Sequence, residues 1–381
     1  MKQVYFDNAA TTPLREEVIR TMTETLSVYG NPSSTHSFGR TSKSLLESCR
    51  KEIASHFNVT AAEIIFTSGG TEADNLILNS CVRDLGVTRI ITSKIEHHAV
   101  LHTVSALQSK YNIQVEYVDL AEKGMIDYNH LEELLKDSSS KTLVTLMHVN
   151  NEVGNLLDLK KVADLCEEND ALFHSDTVQA IGHYSLDFSE IPIDFAVASA
   201  HKFHGPKGIG FAFIRKNSGI RPLIIGGEQE RGLRAGTEPV YAIAGLNEAL
   251  KIAYANIDKE RDCILDLKTY FKDRLLNELP QVSFNGNCED SINSTYTLLS
   301  VCLPVASDKA TMLLFQLDLK GIACSKGSAC QSGSVGGSHV LSEILSEEDL
   351  QKPSIRFSFS SFNTKEEIDY VINVLKEFIE N

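Results

Sequence analysis

Between residues 60 and 216, short apolar runs alternate with stretches of helical period, and this constrains the fold more than any other feature. The runs are Glu63–Thr67, Arg89–Ser93, Val115–Asp119, Leu143–Val149, Ala171–Asp176, Phe195–Ser199 and Ile209–Arg215. Several are continuously apolar, as strands covered on both faces are. Helical stretches lie between most of them, Leu159–Asn169 being one example. Another is Thr41–Phe57, where Leu45, Cys49, Ile53 and Phe57 recur every four residues and form one apolar face. Such alternation predicts an α/β fold, a mainly parallel sheet with helices on both faces.

The pattern changes after Gly236. Pro239 to Leu279 is mostly helix-forming, with no internal Pro and only Gly245 to weaken it, and reads as a long helix with room for one break. Helices and short strands follow, among them Tyr296–Leu303 and Ser354–Phe359, and the chain ends in an amphipathic helix, Lys365–Ile379. The expected division is a large domain over 14–258 and a smaller α+β domain over 259–381, joined by residues 1–13.

The 381 residues carry 36 Lys and Arg against 51 Asp and Glu, a net charge of −15. A chain this acidic is a poor candidate for binding a phosphate backbone in bulk. MKQVYFDNAATTP has no apolar signal segment, and no apolar stretch is long enough for a membrane span. The eight cysteines make no CxxC pair. The expectation is a cytoplasmic protein whose cysteines mostly serve as small core residues.

Three segments carry candidate chemistry. FTSGGTEADN, residues 66–75, follows a strand and opens a helix, so its glycines, the first amides and Thr71 suit an anion, most often phosphate. By itself it is also an ordinary strand-to-helix turn. HSDTVQ, residues 174–179, puts Asp176 at the carboxyl edge of the sheet, although Asp is also a common helix cap. SAHKFHGPKG, residues 199–208, puts Lys202 directly after a buried strand, where a partly desolvated amine can attack a carbonyl; a solvated turn lysine is the plainer reading. Taken together, an anion cradle, a strand-end acid and a strand-end lysine match the needs of pyridoxal phosphate. Two further features bear on substrate. Arg356, in SIRFSFS, offers a fork for a carboxylate, or else a surface ion pair. GIACSKGSACQSGSVGG, residues 321–337, reads as a mobile polar loop that leaves Cys330 available for chemistry.

With these residues in view, the chain resembles the cysteine desulfurases, the NifS/IscS-like members of the class V, fold-type I pyridoxal-phosphate enzymes. The resemblance spans nearly the full length. Besides the segments above it rests on YFDNAATTP at 5–13, NPSSTHSFGR at 31–40, EHHAV at 96–100, MHVNNEVG at 147–154, RAGTEPV at 234–240 and GSACQS at 327–332. It implies a fold-type I transferase with a seven-stranded sheet, a pyridoxal 5'-phosphate cofactor, L-cysteine as substrate and a homodimer. Lys202 is implied as the lysine that carries the cofactor, Asp176 as the partner of its ring nitrogen, and Gln179 as donor to its phenolic oxygen. His97, rather than His98, is implied to stack on the ring. Gly70, Thr71, Ser199 and His201 match the phosphate contacts. Thr237 matches a residue that reaches the phosphate of the other subunit. Asn151 and Arg356 match contacts to the substrate carboxylate, and Cys330 matches the nucleophile that takes sulfur.

The resemblance leaves questions open. Cys324 is not a general family feature; packing, a disulfide with Cys330 or a shared metal are its possible roles, and no metal site is expected. SFSSFN, residues 358–363, replaces a more basic stretch, and the segment after Arg356 is shorter than in members that feed an iron–sulfur scaffold. The acceptor, by iron–sulfur assembly or by tRNA or cofactor thiolation, is therefore open. The competing activities are a selenocysteine lyase and a class V aminotransferase. An inactive pyridoxal fold acting as a sulfur carrier is disfavoured by the presence of Lys202, Asp176 and Cys330.

Overall fold

An apolar run without alternation must be covered on both sides, and the chain meets this demand with one large sheet. The computed structural model describes residues 2–305, 307–326 and 337–380. The chain begins with β1 (Val4–Tyr5), α1 (Glu16–Thr25) and α2 (Ser37–Ser55). It then builds the sheet from β2 (Ile64–Thr67), β3 (Arg89–Thr92), β4 (Gln114–Tyr117), β5 (Thr142–Thr145), β6 (Leu172–Asp176), β7 (Phe195–Ser199) and β8 (Gly210–Ile214). Helices α3 (Gly70–Arg83), α4 (His98–Tyr111), α5 (Tyr128–Leu135) and α6 (Leu159–Glu168) connect the strands. The order is β2-β8-β7-β6-β5-β3-β4. Only β8 runs against its neighbours, β7 and β2. All seven expected strands are members of this sheet, each within a few residues of the expected limits. Every residue of β2, β3, β5, β7 and β8 is buried, as their unbroken apolar runs require. The edge strand β4 is the polar exception, with Gln114 and Tyr117 exposed. Because β2, β6 and β7 are parallel in direction, their carboxyl ends open on the same side, where α/β sheets place their ligands.

The expected long helix is two, α7 (Val240–Ala255) and α8 (Ile257–Glu278). The break falls at Asn256, whose φ of −120° and ψ of 14° leave the helical region. Beyond it lie β9 (Ser283–Phe284), β10 (Leu298–Cys302), α9 (Ser307–Leu319), β11 (Ile322–Ala323), α10 (His339–Ile344), α11 (Glu347–Leu350), β12 (Ser354–Ser358) and α12 (Lys365–Glu380). An antiparallel sheet of order β12-β10-β9 packs against α8, α8 packs against α12, and all three share one apolar cluster. The first residues join this second unit: β1 pairs with β11 in parallel, and Phe6 is fully buried in the same cluster as Phe271, Phe357 and Phe359. The Phe271 and Phe357 rings meet edge to face at 5.0 Å, a favoured aromatic geometry. After β1 the chain turns at Asp7 and runs across to the carboxyl edge of the large sheet, where Thr12 N donates to the carbonyl of His201 at 2.9 Å. Among the described residues, no helix is long and apolar enough to cross a membrane.

Candidate active site

The anion cradle follows from two glycines. Gly69, between β2 and α3, has φ 152° and ψ −174°, a region open essentially to glycine alone. A Cβ on Gly70 would lie 2.6 Å from Cγ2 of Val178. The first amides of α3 thus come close to the edge of the sheet, and the helix dipole makes that spot attractive to an anion.

Asp176 ends β6, and its Oδ1 accepts from the amide of Val178 at 2.9 Å, which fixes the carboxylate at the strand end. Gln179 follows, and its Nε2 donates to the carbonyl of Ala9 at 2.9 Å. Lys202 lies one short turn beyond the neighbouring strand β7. Its Nζ donates to the carbonyls of Ala9 at 2.5 Å and Ala10 at 2.9 Å. The amino-terminal turn therefore forms one wall of the site and holds both side chains.

His97 caps α4, its Nδ1 accepting from the amide of Ala99 at 3.1 Å. This leaves Nε2 as the protonated nitrogen of the neutral ring. Burial holds His97 below the usual imidazole range; Asp176 opposes this, and Lys202, His339 and His102 add to it. Burial also pushes His201 down to about 4, with Lys202 and Lys207 acting in the same direction. His201 Nδ1 is buried and has no hydrogen-bond partner among the described residues.

These groups line a cavity of about 490 Å³, within the usual range for a small-molecule or cofactor site. Gly70, Thr71, Ser199, His201 and Lys202 line it, as do His97, Asp176 and Gln179. Asn151 and Arg356 complete the expected set on its walls. Arg356 reaches in from the centre of β12, with Nη1 donating to the backbone carbonyl of Asn151 at 2.6 Å. Thr237 is exposed and does not line this cavity. Cys330 lies outside the described residues. Cys324 packs against the second core, and burial, with Asp7 beside it, pushes its thiol up to about 12. That thiol stays protonated at neutral pH and is a weak nucleophile.

The donor set fits pyridoxal phosphate. A glycine-lined helix start and the orphaned His201 Nδ1 suit its phosphate, Asp176 a protonated ring nitrogen, and Lys202 its aldehyde.

Sequence reasoning did not single out a second tier of polar groups. Asp74, on α3 and four residues from Gly70, faces His174, whose side chain lies on the same face of β6 as that of Asp176. Glu96 is almost fully buried, accepts from Ser93 Oγ at 2.7 Å, and is pushed up to about 8 by burial. Glu152 accepts from Ser338 Oγ, tying α10 to the large sheet, and burial raises its carboxyl. The pattern available for Asp74 and His174 was their place inside the two motifs: i+4 on a helix and i−2 on a strand.

The aminotransferase class-V family model matches residues 4–371. A cysteine desulfurase IscS of Dictyoglomus turgidum is 38% identical over 382 residues, covering 100% of this chain and 95% of that one. Among solved structures, a NifS-like protein superposes with a TM-score of 0.89 at 34% identity, with both chains covered in full. SspA in complex with cysteine gives a TM-score of 0.81 at 30% identity, covering 95% of this chain and 100% of that one.

Proposed function

The chain belongs to the class-V aminotransferase family and, within it, to the cysteine desulfurases; from that premise we propose that Cys330 takes the sulfur of L-cysteine as a persulfide and passes it to an acceptor. The activity is the pyridoxal-phosphate-dependent conversion of L-cysteine to L-alanine. When bound, pyridoxal phosphate supplies an electron sink that makes the α-proton of the attached amino acid acidic. The observation that carries the reading is that Lys202 and Asp176, at the ends of neighbouring strands, share one cavity with Gly70 and Arg356.

Each residue then has a task. Gly70, Thr71, Ser199 and His201 hold the phosphate, Asp176 and Gln179 hold the ring's nitrogen and phenolic oxygen, and His97 stacks on its face. Arg356 and Asn151 hold the α-carboxylate. Lys202 Nζ takes the α-proton once it is free. The Cys330 thiolate attacks the substrate sulfur. A sulfur–sulfur bond forms, the carbon–sulfur bond breaks, and its electron pair stays with the β-carbon; protons delivered to the β-carbon and back to the α-carbon then give L-alanine. His97, neutral with its proton on Nε2, gives that proton towards the substrate sulfur or Cys330 and takes one back there once it has done so.

The exposed position of Thr237 fits a residue that reaches the phosphate of a second copy, so the working unit is a homodimer. The division into a large domain over 14–258, and a small one over 1–13 and 259–381, places Arg356 and Cys330 on the small unit. The compartment is the cytoplasm, and the acceptor is a protein of iron–sulfur assembly or of tRNA or cofactor thiolation.

The test is alanine and sulfide production from L-cysteine under a reductant, with persulfide on residue 330 read by mass spectrometry. Wild type should make both products, and Cys330→Ser little of either. Full activity in Cys330→Ser would remove Cys330 as the nucleophile. Selenide release from selenocysteine that survives the same change would favour a lyase.

A further inference from the structure

Arg356 does not wait for substrate as a bare cation. It is 2% exposed, and its Nη2 lies 3.0 Å from Oδ1 of Asp7. Nη1 is taken by the carbonyl of Asn151. Nε is buried and has no partner among the described residues. The guanidinium thus enters the cavity already paired on one edge, with donor capacity left on another.

Asp7 is held for this task by backbone. It bridges to Ser358, two residues along β12 from Arg356, and its carbonyl accepts from the amides of Ala10 at 3.0 Å and Thr11 at 3.3 Å. The same turn carries Ala9 and Ala10, whose carbonyls hold Lys202. Burying a guanidinium without an anion is costly, so a resident carboxylate stabilises the empty site. The same carboxylate must weaken the pull on any incoming one, because the two negative charges share a single cation.

We propose that Asp7 is a specificity-determining positioning residue: it is the resident counter-anion of Arg356 and sets how strongly the site takes an α-carboxylate. With Asp7 in place, a simple carboxylate gains little from Arg356, whereas an amino acid also gains from its amine, which would exchange with Lys202 at the cofactor's aldehyde. The site therefore selects for the pair of groups and against free carboxylates. This inference rests on the reading that Arg356 binds the substrate carboxylate.

The experiment compares wild type, Asp7→Asn, Asp7→Ser and Arg356→Lys as cofactor-loaded full-length proteins, with folding checked by circular dichroism. Binding of propionate, which carries the carboxylate alone, is read by calorimetry, and KM and kcat for L-cysteine are read separately. Asparagine keeps an acceptor for Nη2 and removes the charge. Propionate should then bind about fivefold more tightly, and KM for L-cysteine should fall by a similar factor, with the change in KM exceeding that in kcat. Asp7→Ser should move both in the same direction, which guards against a folding defect in one variant. Arg356→Lys should weaken propionate and raise KM by about tenfold, because the two-pronged contact is lost. Weaker or unchanged propionate binding in both Asp7 variants, with Arg356→Lys behaving as expected, overturns the role of Asp7 alone. No change in Arg356→Lys overturns the reading of Arg356 and the inference with it.

Discussion

Oδ1 of Asp74 lies 3.3 Å from Nε2 of His174, and both side chains are buried to within 1% of fully. Neither atom has a hydrogen-bond partner of its own among the described residues, while Nδ1 of His174 meets Thr145 Oγ1 at 2.8 Å. Burial raises the Asp74 carboxyl well above its usual range, and the charges of Asp176 and Glu96 act with it. Burial pushes His174 down to about 3. Both shifts favour the uncharged pair, with one proton between the two facing atoms. Asp74→Asn, which mimics the protonated carboxyl, should keep stability within about 1 kcal/mol in urea unfolding, whereas His174→Leu should cost about 1–3 kcal/mol by orphaning Asp74. A large loss in Asp74→Asn would mean that the carboxyl is ionised.

Stability should fall on mild acidification. Burial is the main cause that holds His148, His183, His201 and His204 at about 4 and His174 at about 3. The native protein keeps these rings neutral, while the unfolded chain takes up protons near pH ~6.5. Each contributes stability that is present above that value and is lost as pH falls from ~6.5 towards 4, at up to ~1.4 kcal/mol per pH unit for each proton. Glu96, which the native state keeps protonated up to about 8, acts in the opposite sense, as do Asp74 and Glu152, whose carboxyls burial raises. The histidines outnumber these carboxyls, so the urea midpoint should drop between about pH 7 and about pH 5. A midpoint that rises over this range would contradict the neutral assignment of the rings.

The glycine cradle can be tested by filling it. A Cβ at position 70 meets Cγ2 of Val178 at 2.6 Å, and valine is stiff about its first side-chain torsion. Gly70→Ala should weaken pyridoxal-phosphate binding, followed by absorbance, by about tenfold or more, because the first amides of α3 must move. Val178→Ala in the same chain should restore part of the loss, with a coupling of about 1 kcal/mol between the two positions. Additive effects would show that the cradle is not limited by this contact.

What was legible in the sequence was what lies close along the chain. Gly70 and Thr71 follow β2, Asp176 ends β6 and Lys202 follows β7, so the apolar runs that define the strands also place these residues. The period of two along β6 would equally have put His174 beside Asp176, but a histidine within a buried run reads as core. Asp7 and Arg356 are 349 residues apart, and no local pattern records that β1, β11 and β12 draw them together. The wall made by Ala9 and Ala10 was invisible for another reason: its chemistry is backbone carbonyl, which every residue has. The break at Asn256 was undecided because a polar residue at a good helix position does not reveal the packing that turns α8 away from α7.

Arg50 and Glu230 form a buried two-pronged ion pair, with Nη1 to Oε2 at 2.6 Å and Nη2 to Oε1 at 2.8 Å. The same Oε2 accepts from the amide of Phe66 on β2 at 2.8 Å, and Arg50 Nη1 also donates to the carbonyl of Ile64 at 2.7 Å. Glu230 and Arg231 both sit in the left-handed region, with φ of 49° and 58°. Local strain is thus held by a tertiary contact that anchors the segment leading to Thr237 beside the strand that opens the cradle. Glu230→Ala removes the two-pronged partner and leaves the buried guanidinium only the half-exposed Glu47, at 3.1 Å from Nε, so it should cost about 3 kcal/mol in urea unfolding. Arg50→Met with Glu230→Leu removes both charges together and should cost clearly less than Glu230→Ala, as paired apolar replacements of buried ions do. A double variant no better than the single one would mean that the hydrogen bonds to Phe66 and Ile64, rather than charge compensation, hold this segment in place.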